Sequence, residues 1–167
     1  GIFDLHRPFV EMAIDKTRRK GRWGMVLPDI ILLKNYPSTR KWILDKIAIE
    51  RMEFWGMAFK GAVIDAVTIN GVKEPIESVR HQQLVKVCVH SGEGDFHNTM
   101  EQSCFLGLKD YKFNLFFTPE NLALVEKLSN LSKFSEYFET HEGIHSGNVR
   151  KKLFVERKEN KYCQPLI

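Results

Sequence analysis

Apolar residues recur at helical spacing through Leu5, Phe9, Met12 and Ala13. This predicts a helix from Leu5 to Lys20, with Asp4 as N-cap and the basic Arg18-Arg19-Lys20 at the end where cations suit the helix dipole. Gly21 ends it, and Pro8 has to fall in the first turn, where a missing N–H costs little. Arg22 to Leu27, bounded by Gly21 and Pro28, is a nearly continuous apolar run, the pattern of a parallel strand covered on both faces. Ser38 then caps a helix through about Ala48 whose inward positions are Trp42, Ile43 and Ile47. Arg51 to Trp55 reads as a strand, Gly56 to Gly61 as a glycine-bracketed loop, and Ala62 to Ile69 as a strand ended by the turn pair Asn70-Gly71. The loop is too short for a crossover, so those two strands must be antiparallel.

Gly71 to Gln83 is polar and contains Pro75, and reads as a link. Leu84 to Val89 alternates as a strand, and Ser91 to Asp95 is turn chemistry. Thr118 followed by Pro119 opens a helix to Leu131, with apolar residues at Leu122, Val125 and Leu128. Gly143 to Asn148 reads as a loop and Lys152 to Val155 as a strand. The expected organisation is residues 1–71 as one α/β part, 72–83 as linker and 84–167 as a smaller α+β segment.

Composition narrows the class. With 167 residues, 43% of them hydrophobic and 28% charged, the chain can bury a core for one domain or one and a half. No apolar run approaches the roughly 18 to 20 residues of a membrane span, and no secretory signal opens the chain. Three widely spaced cysteines argue against a disulfide framework and for a reducing compartment, so the expectation is a cytoplasmic protein without a membrane partner. The net charge of +4 permits a polyanionic partner without requiring one. The chain lacks an initiator Met and ends on the apolar Pro165-Leu166-Ile167, which suggests a piece of a longer protein.

Several segments taken in order resemble the second half of the catalytic domain of adenine-N6 DNA methyltransferases of restriction and modification systems. Lys20-Gly21-Arg22-Trp23-Gly24-Met25-Val26-Leu27-Pro28 is similar to the family's Gly turn and Pro-ended strand. Arg40 to Leu44 is similar to the helix that follows, and Phe59-Lys60-Gly61-Ala62-Val63-Ile64-Asp65-Ala66-Val67 to the loop and strand near the end of the fold. More loosely, Phe113-Asn114 and Gly143 to Asn148 resemble the opening of the target-recognition region. The resemblance implies the C-terminal half of a Rossmann-like methyltransferase sheet, mostly parallel and closed by an antiparallel last strand, with a smaller α+β segment after it. It also implies double-stranded DNA as partner and S-adenosylmethionine as cofactor of the parent enzyme. Neither the Gly-rich loop for that cofactor nor the Asn-Pro-Pro-Tyr motif for the target amine occurs in the chain, so it is expected to be inert alone. Half a parallel sheet also exposes an edge through which the chain could self-associate.

Enzymes that modify a base inside a duplex extrude it and hold its face against an aromatic side chain. The resemblance puts Phe59 in that role, the alternative being that Phe59 packs as core. Lys60 beside it could meet a phosphate or only solvent. Asp65 is expected to brace the loop by accepting from its amides, or to face solvent. Lys16, Arg18, Arg19, Lys20 and Arg22 suit a solvated face. A second basic stretch, Arg150, Lys151 and Lys152 after Asn148, is the candidate DNA-contacting edge. Cys88, His90, His97 and Cys104 raise a metal question, but their gaps fit no standard zinc spacing, so no metal is expected. Ser91, Ser146 and Cys104 lack the context of a hydrolase nucleophile. The rival to the methyltransferase reading is a non-catalytic α/β module that binds DNA or protein.

Overall fold

Five strands, three of them rich in valine and isoleucine, form in a computed structural model of the protein, which describes residues 4–61 and 63–139. The strands are β1 (Arg22–Pro28), β2 (Ile47–Gly56), β3 (Ala66–Lys73), β4 (Leu84–Val89) and β5 (Phe96–Glu101). The helices are α1 (His6–Lys16), α2 (Ile30–Leu33), α3 (Pro37–Lys46), α4 (Glu77–His81), α5 (Ser103–Gly107) and α6 (Pro119–Ser129). The sheet is mixed and open, in the order β1-β3-β2-β4-β5. β3 runs antiparallel to both of its neighbours, β2 and β4 are parallel, and β5 is antiparallel to β4. β1, β2 and β4 therefore point the same way. The antiparallel relation expected of β2 and β3 is present.

Period-two alternation gives each strand one apolar face. Trp23, Leu27, Met52, Val67, Ile69, Val85, Val87 and Met100 join Val10 and Ile14 of α1, Ile43 and Leu44 of α3, Phe105 of α5 and Phe113 in one core. Each fully buried aliphatic here is worth about 1.5–3 kcal/mol. The other face is polar: Arg51, Lys86, His97 and Thr99 are exposed and Glu53 is half-buried. β1 thus departs from the expected doubly covered parallel strand, with antiparallel pairing to β3 and alternating burial.

α1 also differs from expectation. It ends at Lys16, and its inward positions are Val10 and Ile14, while Leu5, Phe9 and Met12 are exposed. The helix carries two apolar stripes, and packing against α3 and β1 selects the second. Asp4 caps nothing; its carboxylate accepts from the Tyr36 hydroxyl. The helix stops because Lys73 of β3 takes over its last carbonyls, its ammonium donating to Ile14 O (2.8 Å), Asp15 O (3.3 Å) and Thr17 O (2.9 Å). Lys20 then adopts φ 59° and its N–H donates to Lys73 O (2.7 Å), while Lys73 N–H donates to Gly21 O (2.9 Å), at the mouth of β1. In α3, Pro37 rather than Ser38 opens the helix, and Arg40 is fully buried beside Ile43 and Leu44. Ile47, expected in this helix, starts β2.

Asn70-Gly71 is not a turn. β3 starts at Ala66 and continues through this pair to Lys73, with Gly71 opposite Trp23 on one side and Ile49 on the other. Residues 72–83, expected as a linker, contain the end of β3 and α4. The sheet crosses them, since Arg51 to Phe54 of β2 pair with Lys86 to Val89 of β4. Gln102, after the unforeseen β5, is buried and ties the β5 end to the α3–β2 junction. It accepts from Ile49 N–H (2.8 Å) and donates to the carbonyls of Leu44 (3.2 Å) and Ile47 (2.9 Å).

Glu74 follows β3, buried, and accepts from the Lys20 ammonium and from Ile76 N–H (3.0 Å). The bond from Lys20, then that from Ile76, holds its carboxyl below the usual carboxylate range. A carboxylate depressed on folding stabilises the protein above its unfolded pKa, about 4.3 for Glu, and loses that contribution as pH falls through the folded value. Thermal melts of Glu74→Gln should therefore lie below wild type at neutral pH and converge with it in acid. A constant offset across pH would remove Glu74 from the acid response.

Residues 1–125 form one compact unit and 126–167 a second. In α6 the predicted cap is present, Thr118 Oγ1 accepting from Asn121 N–H at 3.3 Å. In the second unit Phe134 and Phe138 stack at 4.6 Å around a short 3-10 turn. The loop expected at 143–148 and the strand at 152–155 lie outside the described residues.

Candidate functional site at the carboxyl edge of the sheet

Because β1, β2 and β4 are co-directional, their carboxyl ends share one edge of the sheet, the side on which open α/β sheets bind ligands. The segment after β1, the loop after β2 and the turn after β4 all emerge there.

The loop between β2 and β3 starts at Gly56 (φ 59°) and bends again at Gly61 (φ 83°), left-handed positions that favour glycine. Ala58 N–H donates to Gly56 O (2.8 Å), tightening its start. Its exit is held by Asp65, whose backbone carbonyl accepts from Asp29 N–H (2.9 Å). The brace expected from the Asp65 carboxylate is thus supplied by its main chain, which ties the loop to the end of β1. Between these anchors the loop presents Met57 (75% exposed), Phe59 (56%), Val63 (93%) and Ile64 (55%) to solvent. Phe59 is not core, and Lys60 beside it is exposed. Asn148, Arg150, Lys151 and Lys152 lie outside the described residues. Of the first basic run, Lys20 and Arg22 are engaged by Glu74 and Glu50.

At the same edge a cavity of about 430 Å³ is lined mainly by Leu32, Leu33, Phe54, Val89, Phe113 and Phe116. Asp29, Lys34 and Asn114 are its polar residues. Its walls suit an apolar or aromatic group, with few polar groups to orient it.

On the polar face, Glu53, Cys88 and His97 occupy one row across β2, β4 and β5, and a trough of about 320 Å³ runs over Cys88, His90 and His97. His90 stacks on Trp55, centroids 4.0 Å apart and planes 23° from parallel, and its backbone N–H donates to Phe54 O (2.9 Å). Trp55 is itself held by donation to Thr68 Oγ1 (3.1 Å). Asp95 Oδ2 lies 2.9 Å from His90 Nδ1, and Cys88 Sγ lies 3.8 Å from Nδ1 and 3.6 Å from Nε2. Burial, then the negative charges of Asp95 and Glu53, pushes the Cys88 thiol up. Cys104 is apart from this group, in α5 against the core. Asp95 and Trp55 were not among the sequence candidates. The Ser91–Asp95 turn was legible, but not that it returns Asp95 onto His90.

No known protein-family model matches the chain, and no curated protein matches it significantly.

Proposed function

We propose that the chain is the later part of an adenine-N6-specific DNA methyltransferase domain of a restriction and modification protein, and that it supplies the aromatic platform for an extruded adenine. The observation that carries this is Phe59, exposed on a loop pinned at Gly56 and Asp65 along the carboxyl edge of the sheet. A ring kept out of the core, with its backbone anchored at both ends, is preorganised to stack on a base face. Lys60, exposed next to it, is placed to meet a backbone phosphate. Two co-directional strands, β1 and β2, with the antiparallel β3 inserted between them support the family likeness, although the sheet is not the mostly parallel one expected: of its four pairings only β2 with β4 is parallel. Among the described residues the outer edge of β1 pairs with no strand, and in the proposed whole domain earlier strands would pair there. In the isolated chain the same edge offers a route to self-association.

S-adenosylmethionine, as cofactor of the parent enzyme, would supply the methyl group. This chain does not fit it: the family's Gly-rich loop and Asn-Pro-Pro-Tyr are absent, and the carboxyl-edge cavity is walled mostly by apolar side chains. No step of methyl transfer is assigned to its residues. The role proposed for them is to bind DNA and hold the base.

The test uses the chain as it stands, measuring anisotropy with a labelled duplex carrying one unpaired adenine and with its fully paired counterpart. Stacking is worth about 1–3 kcal/mol per base, so the chain should prefer the first duplex by roughly tenfold. Phe59→Ala should abolish that preference and leave the salt-sensitive affinity for paired DNA in place. Equal preference in the variant would overturn the role of Phe59. Binding to paired DNA with no preference in either protein would favour the non-catalytic module.

A further inference from the structure

We infer that Cys88, His90 and Asp95 form a binding site for a borderline-soft divalent metal of the zinc class. The inference stands on the polar face of the sheet and is independent of the base-stacking role of Phe59.

One donor atom from each of the three residues lies within 4.8 Å of the others. In a tetrahedral zinc site with bonds of about 2.3 Å to sulfur and 2.0–2.1 Å to nitrogen, sulfur and nitrogen stand about 3.5 Å apart. The Cys88 Sγ lies 3.8 Å from His90 Nδ1 and 3.6 Å from Nε2, close to this ligand-to-ligand spacing. His90 Nδ1 and Asp95 Oδ2, 2.9 Å apart, face each other across one hydrogen, and an ion that takes the place of that hydrogen is held by both, the imidazole proton moving to Nε2. Cys88, His90 and Asp95 thus supply three donors and leave one position to water, with His97 opposite Cys88 along the same trough.

The arrangement is preorganised by elements that would otherwise be hard to explain. Trp55 stacks on the His90 ring, and the His90 backbone is bonded to Phe54, so the imidazole plane is fixed before any ion arrives. Cys88 sits on a strand paired on both sides, which fixes its backbone. Glu53, in register with Cys88, adds negative charge that favours a dication, while Arg51, bonded to it at 3.1 Å, and Lys86 set the opposing field. A thiol and an imidazole select zinc-like ions over magnesium or calcium, which prefer oxygen alone. Binding replaces the thiol proton, which leaves to solvent, with the metal.

Cobalt(II) alone is the probe, titrated into the full chain under reducing conditions. One equivalent should produce a thiolate-to-cobalt charge-transfer band with tetrahedral d–d bands, and should quench the fluorescence of Trp55. Cys88→Ser should abolish the charge-transfer band, whereas Cys104→Ser and Cys163→Ser keep it. His90→Gln and Asp95→Asn, changes at surface positions, should each weaken cobalt binding about tenfold or more. Absence of a stoichiometric thiolate band, or its persistence in Cys88→Ser, would overturn the site. Should Cys88→Ser not fold, unchanged cobalt affinity in both His90→Gln and Asp95→Asn overturns it equally. Neither result touches the unpaired-adenine preference that tests Phe59.

Discussion

Arg40→Leu is expected to lower the unfolding free energy by about 3–5 kcal/mol, enough to leave much of the protein unfolded, because it strips three main-chain carbonyls of their donor. Arg40 has no exposed surface, and its guanidinium donates to Ile31 O (2.9 Å), Lys34 O (2.8 Å) and Asp110 O (3.1 and 2.9 Å). Those carbonyls belong to the end of α2, the turn before α3 and the 3-10 turn Lys109–Tyr111, three pieces that no strand pairing joins. The last is the most dependent, since Asp110 (φ 59°) and Tyr111 (φ 55°) both occupy the left-handed region, at roughly 1–2 kcal/mol each. Burial pulls the Arg40 guanidinium below its ordinary pKa, yet it stays charged and keeps all its donors. Lysine, with a single ammonium, cannot span the three carbonyls, so Arg40→Lys should recover little. Urea titration is the measurement. A loss under about 1 kcal/mol in Arg40→Leu would mean that these segments hold together without the guanidinium.

Gly71→Ala should cost about 3 kcal/mol, or prevent folding, although it adds one methyl to a strand. A Cβ at this position would collide with the Ala48 carbonyl oxygen and stand 2.8 Å from Ile47 Cγ2. The obstacle is main chain of the adjacent strand, beside the register shift between Ile49 and Arg51, and it cannot rotate away. Gly24→Ala is the control, because its Cβ would meet Asn70 Cβ at 3.3 Å, a contact a small shift relieves. Chemical denaturation of the two variants should separate them clearly. Equal midpoints would show that β2 can move aside.

The same glycine shows why part of the fold was legible in the sequence and part was not. Asn-Gly carries a strong local turn signal, and nothing within a few residues reveals that Gly71 is required by a carbonyl from β2. β4, the antiparallel β2–β3 pair and the Thr118 cap rest on local pattern, and each appeared as expected. The inward face of α1, the polar side of β1 and the end of α1 beneath Lys73 are set by partners distant in sequence. The candidate site divides similarly. Phe59 is singled out by the family resemblance of its segment, whereas the Cys88, His90 and Asp95 group exists only because a turn folds back on the strand that precedes it.

The strand order has a consequence for synthesis. β1 leaves the ribosome before β2, yet neither touches the other in the sheet; both wait for β3, which slots between them. Until Lys73 has emerged, Trp23 and Leu27 have no strand beside them, and α1 has no ammonium at its last carbonyls. The hairpin of β2 and β3 can close quickly, being local, whereas docking β1 onto it spans a longer loop and comes later. For that interval the nascent chain displays an unpaired apolar strand, the kind of segment that chaperones hold and that aggregation exploits.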